Sequence, residues 1–292
     1  MISEPLIPFI QIPDLVLIPQ GRFGSGFPPV PFSIKPFGTL VAIAVYLGAY
    51  LAIREGKRRG LSERALTSFI FWVVVAGFVG GHVLDTLFYY PGRVLSDPAS
   101  LLRLWDGLSS FGGFIGALCG VMLWKWRYRV GVLPYADVVA SAFPAAWVFG
   151  RAGCAVAHDH PGLRSAAWFA VQYPDGGRFD LGLYEMLLTI PLAIVFLLLR
   201  RKPRPWGFYL AVMSIAYAPV RFGLDFLRAR DVEVPDERYL GLTPAQWACF
   251  GLLAVGVTLL LRARRGTDAP GALAAPEPPE RLRASAAAGH PS

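Results

Sequence analysis

Charge is what this chain has least of. Only 16% of its 292 residues are Asp, Glu, Lys or Arg, against about a quarter in a typical soluble domain. A soluble surface needs more charge than this, so neither one large soluble domain nor two smaller ones fits the composition. Cysteine is scarce as well. Cys119, Cys154 and Cys249 are too few and too scattered for a disulfide framework or a zinc site. No basic stretch opens the chain, and Pro5, Pro8, Pro13 and Pro19 interrupt any apolar run there, so residues 1–36 do not read as a signal peptide. No repeat recurs at solenoid periods, and no two apolar runs share matching Gly/Pro breaks of the kind transporters carry.

What the chain has is apolar length. Hydrophobic residues make up 54% of it, and the mean hydropathy is +0.47. A bilayer core about 30 Å thick takes roughly 20 apolar helical residues. Seven stretches approach that: Phe37–Ile53, Ala65–Tyr90, Leu108–Trp124, Pro134–Phe149, Leu181–Leu199, Trp206–Leu227 and Pro244–Leu261. The fold class expected is all-α, a polytopic integral membrane protein with seven transmembrane helices over residues 37–262. Residues 1–36 are expected as an irregular or amphipathic arm on the outer face, and residues 263–292, rich in Ala, Pro and charge, as a disordered cytoplasmic tail.

The net charge of +8 does not mark a nucleic-acid binder, because the basic residues fall in short clusters between the apolar runs. Fifteen of them occupy alternate connections: Arg54, Lys57, Arg58, Arg59 and Arg64, then Lys125, Arg127 and Arg129, then Arg200, Arg201, Lys202 and Arg204, then Arg262, Arg264 and Arg265. The opposite connections are longer, hold fewer, and mix them with acids. The positive-inside rule therefore puts the N-terminus outside and the C-terminus in the cytoplasm.

Ionisable groups at membrane depth are costly unless paired or facing a cavity, so each one points to a site. Arg221, Asp225 and Arg228 are spaced i, i+4 and i+7, on one helical face with Tyr217 a turn earlier. Arg221–Asp225 alone reads as a pair locking two helices. Two guanidinium groups flanking one carboxylate leave positive charge for an anionic head group, which Arg meets bidentately. His82 reads as a satisfied interfacial histidine, Asp85 as a carboxylate in need of a partner, and Asp137 as a cap or snorkelling residue.

The segment Gly150-Arg151-Ala152-Gly153-Cys154 through His158-Asp159-His160, directly after the fourth run, is the densest in chemistry. Arg151 beside Gly150 and Gly153 suggests an anion site with exposed backbone N–H groups. The His-Asp-His triplet has only Asp85, Asp180 or Glu185 to complete a metal site, so no metal is expected. Tyr184-Glu185 opens the fifth run at the same depth, where Glu185 also reads as a helix-terminal carboxylate.

These pieces, in this order, resemble the prolipoprotein diacylglyceryl transferase family over about residues 30–262. Ile34-Lys35-Pro36-Phe37-Gly38 resembles its entry to the first helix, and Gly80-Gly81-His82 with Phe88-Tyr89-Tyr90 its Gly-Gly-Arg helix with an aromatic finish. Gly107 to Gly116 is similar to its Gly-x-Ser-x-His-Gly-Gly segment. Gly150-Arg151-Ala152-Gly153 resembles the start of its Gly-Arg-x-Gly-Asn signature, and Leu183-Tyr184-Glu185 its Leu-Tyr-Glu. Arg221-Phe222, Asp225-Phe226 and Arg228 resemble its Arg-Phe-x-x-Glu-Phe-x-Arg.

The resemblance implies a transferase of the bacterial inner membrane. It would move the diacylglyceryl group of phosphatidylglycerol onto the lipobox cysteine of a prolipoprotein, with a thioether formed and glycerol phosphate released, and with no metal or organic cofactor. It implies Arg151, Arg221 and Arg228 as phosphate-holding groups together with Gly150, Gly153 and Tyr184, and Asp225 and Glu185 as groups that orient those arginines. The family's motif His falls on Phe111 and its signature Asn on Cys154. A second Asn falls on Ala157, the Glu after it on Asp159, the first-helix Tyr on Phe37 and the Arg after Gly-Gly on His82. Two readings follow. Either the base has moved, with His158 or His160 beside Asp159 assisting thiol deprotonation, or a non-catalytic or altered-specificity protein has kept the anionic-lipid pocket without the chemistry.

Overall fold

The computed structural model describes residues 5–20, 22, 32–103, 107–232, 235–266, 277, 279 and 282. Among the described residues, seven long helices overlap the apolar runs: α1 (Pro36–Arg58), α2 (Glu63–Tyr89), α4 (Ser110–Tyr128), α5 (Leu133–Ala157), α6 (Leu181–Leu199), α7 (Phe208–Asp225) and α8 (Pro244–Gly266). A short helix, α3 (Pro91–Ser96), and a 3₁₀ turn over Pro98–Leu102 follow α2. Five of the long helices are long and apolar enough to cross a membrane: α1, α2, α5, α6 and α8. Lys125 and Arg127 in α4, and Arg221 and Asp225 in α7, lower the apolar character of the other two. The expected tail, 263–292, lies almost wholly outside the described residues.

Helix starts follow local chemistry. The hydroxyls of Ser62 and Ser109 accept from the N–H groups of Ala65 and Gly112, and the Asp180 carboxylate accepts from Leu183 N–H at 2.9 Å. The chain departs from the all-helical expectation between α5 and α6. There β4 (Pro161–Arg164), β5 (Val171–Tyr173) and β6 (Gly176–Asp180) join β1 (Ile7–Pro8) in a four-stranded sheet of order β1-β5-β6-β4. Pro174-Asp175 turns the β5–β6 hairpin, and β1 runs parallel to β5, with Ile7 opposite Val171. The N-terminal arm thus contributes a strand here, and it forms a second, two-stranded sheet from β2 (Leu15–Ile18) and β3 (Phe32–Ile34).

The chain divides into two compact units. The first comprises residues 1–48, 143–201 and 214–254, the second 49–142, 202–213 and 255–292. In the second, α2 and α4 pack backbone to backbone along Gly112, Gly116 and Gly120. A Cβ on Gly116 would stand 2.2 Å from the Ala76 carbonyl oxygen, and one on Gly120 2.5 Å from that of Trp72. Phe69, Trp124, Tyr135 and Val138 form the buried apolar core of this unit. Asp137, expected as a cap or snorkelling group, is instead fully buried. Its carboxylate meets Arg59 at 3.0 Å and accepts from Leu210 N–H at 3.0 Å, while Arg59 lies 3.7 Å over the Trp206 ring. His82 is buried as expected, with Nδ1 3.1 Å from the Gly107 carbonyl and Nε2 3.1 Å from that of Ser100.

Candidate active site

The first unit brings together the C-terminal ends of α5 and α7 and the start of α6. Helix α5 runs eight residues past the expected end at Phe149 and carries Gly150, Arg151, Gly153 and Cys154 inside its last turns. Gly150 and Gly153 therefore spend their backbone N–H groups on the helix and do not form the anion nest expected of them. Gly153 instead lets α1 approach, since a Cβ there would lie 3.2 Å from the Phe37 ring.

Arg151 can sit inside a helix because its charge is met from α6. Its side chain is 2% exposed, and its Nε lies 2.9 Å from Glu185 Oε1. Trp147 and Tyr217 donate to the same oxygen at 3.0 and 2.5 Å, and the guanidinium stacks 4.6 Å over the Trp147 ring. Arg221 reaches Glu185 Oε2 at 3.9 Å and Asp225 Oδ1 at 2.8 Å. Glu185 and Asp225 thus both lie against these arginines.

Helix α7 ends at Asp225, so Arg228 is not on its face but in the strand-like segment that bridges to Gly162. Its guanidinium nevertheless comes within 3.8 Å of Asp225 and pairs with Asp236 at 2.5 Å. The helix stops there because side chains farther on take its last carbonyls. Gln246 donates to the Phe222 carbonyl at 3.1 Å and Arg238 to that of Asp225 at 3.2 Å. Thr243 donates to the Asp225 carboxylate. Arg151, Arg221 and Arg228 therefore face Glu185, Asp225 and Asp236, and the excess positive charge expected from one carboxylate is balanced. Asp236 went unnoticed in the sequence because nothing local ties it to Arg228.

Within the His-Asp-His triplet, His158 parts from Asp159 and His160. His158, at φ 51°, turns the chain back at the end of α5. Its Nδ1 meets Asp180 at 2.6 Å, its Nε2 lies 3.2 Å from the Ile10 carbonyl, and its ring stacks on Phe9. Both ring nitrogens are engaged, so His158 serves as a pin between arm, sheet and helix. Asp180 also accepts from the Tyr173 hydroxyl at 3.0 Å, and burial together with this carboxylate pushes the Tyr173 phenol up, keeping it a donor.

Asp159 and His160 hydrogen-bond each other and turn toward α5. One ligating atom each of Cys154, Asp159 and His160 lies within 4.8 Å of the others. The third member is thus Cys154, six residues before His160, and not one of the acids Asp85, Asp180 or Glu185. Arg151 Nη1 donates toward Cys154 Sγ at 3.7 Å, linking this trio to the arginine cluster. Tyr184 stands apart, donating to the Phe169 carbonyl at 2.7 Å beneath the sheet.

The sheet carries its own ion cluster. Arg178 pairs with Asp175 at 2.6 Å and Asp231 at 2.7 Å, and Arg164 reaches the same two carboxylates. Hydrogen bonds from Arg178 hold both carboxyls below the usual carboxylate range.

A family profile described as "Prolipoprotein diacylglyceryl transferase" matches residues 27–262. A phosphatidylglycerol–prolipoprotein diacylglyceryl transferase from Azoarcus sp. (strain BH72) is 31% identical over 247 residues, covering 80% of this chain and 92% of its own. One from Nitratidesulfovibrio vulgaris is 30% identical over 257 residues, covering 84% and 97%. With a profile spanning most of the chain, including every helix that builds the arginine cluster, the chain belongs to the prolipoprotein diacylglyceryl transferase family.

Proposed function

We propose that this protein transfers the diacylglyceryl group of phosphatidylglycerol to the lipobox cysteine thiol of a prolipoprotein. It would act in the bacterial inner membrane, with seven spanning helices, the N-terminus outside and the C-terminus in the cytoplasm. The observation that carries the reading is the chain of contacts Arg151–Glu185–Arg221–Asp225–Arg228, three guanidinium groups gathered where α5, α6 and α7 meet.

The reaction breaks a glyceryl C–O bond and expels a phosphate ester, so positive charge must await the leaving group. Arg228 and Arg221, 24% and 13% exposed, are the groups that can meet it, by exchanging part of their pairing with Asp236 and Asp225 for phosphate. Arg151, 2% exposed, adds charge from behind and fixes Glu185. The acceptor must become a thiolate, and the Cys154–Asp159–His160 group is the assembly beside the arginines able to favour that.

A second reading, a lipid-binding protein without the reaction, is favoured by one observation. Phe111, 37% exposed, stands where the resemblance calls for an imidazole. Purified protein in liposomes with labelled phosphatidylglycerol and a lipobox peptide separates the two. Label passing to the Cys peptide but not to a Cys→Ser peptide, and lost with Arg228→Ala, is the expected result. Lipid binding that needs Arg221, with no label ever moving, would replace transfer by binding.

A further inference from the structure

The thiol-activating group has the composition of a metal site. Cys154 is buried in the last turn of α5, and Asp159 and His160 follow on the turn that His158 folds back over it. A tetrahedral zinc ion, with bonds of about 2.0–2.3 Å, needs its ligands roughly 3.3–3.8 Å apart. The three ligating atoms lie within 4.8 Å of one another, so closure asks for a shift of about 1 Å. Asp159 and His160, whose side chains keep 38% and 15% exposure, can supply that shift while Cys154 stays fixed.

Charge and softness select the ion. A thiolate, a carboxylate and a neutral imidazole sum to minus two, which a divalent cation neutralises where unbalanced charge is costly. A sulfur ligand favours Zn²⁺ over Mg²⁺ or Ca²⁺. The Arg151 N–H aimed at Sγ is the kind of outer contact that supports a metal-bound thiolate. On the other side α6 comes close, for a Cβ on Gly182 would stand 3.0 Å from that of Cys154.

We propose that Cys154, Asp159 and His160 form a three-ligand Zn²⁺ site whose fourth position takes the acceptor thiol. Three protein ligands leave that position open, and a thiol bound to zinc is deprotonated at neutral pH. The S–H proton passes to solvent. The bound sulfur then attacks the glyceryl carbon, the C–S bond forms as the C–O bond to phosphate breaks, and the electron pair leaves with glycerol phosphate near Arg221 and Arg228. The site thereby supplies the activation that Phe111 cannot. The metal site stands on its own geometry, while its role in activating the acceptor rests on the transfer reading.

The test uses full-length protein in detergent, with Cys119→Ser and Cys249→Ser so that Cys154 is the sole thiol, titrated with Co²⁺. One equivalent should produce a thiolate-to-metal charge-transfer band, displaced by Zn²⁺. Cys154→Ser should abolish the band. Asp159→Asn and His160→Gln, at partly exposed positions that leave the fold intact, should weaken binding by about 10- to 100-fold or more. No band at any Co²⁺ concentration, or a band indifferent to both of those variants, overturns the site. Transfer assayed with and without a chelator keeps the two readings apart. Transfer that persists in chelator overturns the metal's role with the transferase intact. A band without transfer supports the site and sinks the transferase.

Discussion

The α2–α4 pair and the meeting point of α5, α6 and α7 solve one problem, how to hold membrane-type helices together, by opposite means. Along α4 the side chains are removed. Gly112, Gly116 and Gly120 let the backbones touch, and dispersion over a close fit supplies the adhesion. At the other site, large polar side chains are added. Arg151, Tyr217 and Trp147 are all drawn to one carboxylate oxygen of Glu185. The first arrangement has one purpose, since a row of glycines offers nothing to a substrate. The second costs desolvation that apolar packing would avoid, which is the reason to look for chemistry there and not along α2 and α4.

The sharpest break of this comparison comes from Glu185. Glu185→Ala leaves the Arg151 charge buried and strips Trp147 and Tyr217 of their acceptor, at an expected cost of about 3–5 kcal/mol. The double variant Arg151→Met/Glu185→Leu should recover most of that stability and none of the transfer. A double-mutant cycle on thermal unfolding in detergent, read beside the liposome assay, checks both halves. If the double variant also recovers transfer, the pair is only a fastener.

Next comes the glycine row. Gly116→Ala must push the Ala76 carbonyl from 2.2 Å, and should cost about 1–3 kcal/mol. Gly113→Ala, one turn away on the same helix, meets nothing nearer than the Gly77 carbonyl at 3.8 Å and should be neutral or gain up to about 1 kcal/mol from helix propensity. Equal melting temperatures for the two would mean the fit is looser than the close approach implies.

Third is Arg228, where stability and function should part. Its pairing with Asp236 is partly exposed, so Arg228→Ala should shift stability by about 1 kcal/mol or less. Phosphatidylglycerol transfer should fall far more. Arg228→Lys should restore the charge but not the bidentate contact, and so recover only part of the activity. A loss of stability as large as the loss of activity would make Arg228 a structural group.

How much of this was legible in the sequence depended on how local each signal is. All seven long helices are, because each needs a contiguous apolar run and carries it. The pairing of Arg221 with Asp225 is too, being a one-turn spacing. The end of α5 is not, because the apolar run stops at Phe149 while the helix continues through Arg151, whose charge is met by Glu185, 34 residues on. Asp137 was misread for the same reason, its partner Arg59 being 78 residues away. The sheet escaped notice because its strands are two to five residues long and one of them comes from the arm. The Cys154–Asp159–His160 grouping depends on His158 adopting a positive φ, which a non-glycine residue seldom does and no pattern announces.

The smallest effect expected lies in the sheet and extends the comparison to a third kind of adhesion, exposed charge. Hydrogen bonds from Arg178 hold the Asp175 and Asp231 carboxyls below their ordinary range. A carboxyl so lowered adds stability that is present above its unfolded-state pKa, near 3.9 for Asp, and that is lost as pH falls through the folded-state value. The β4–β6 region should therefore loosen below about pH 4. The buried Arg151–Glu185 cluster, better shielded from solvent, should outlast it. Hydrogen-exchange mass spectrometry between mildly acidic and strongly acidic buffer, comparing peptides from 161–180 with those from 181–199, measures the order of loss. Asp231→Asn should flatten the acid response of the first peptides and leave the second alone. If the helical peptides open first, the buried ion pairs and not the exposed ones are the acid-sensitive joint of the protein.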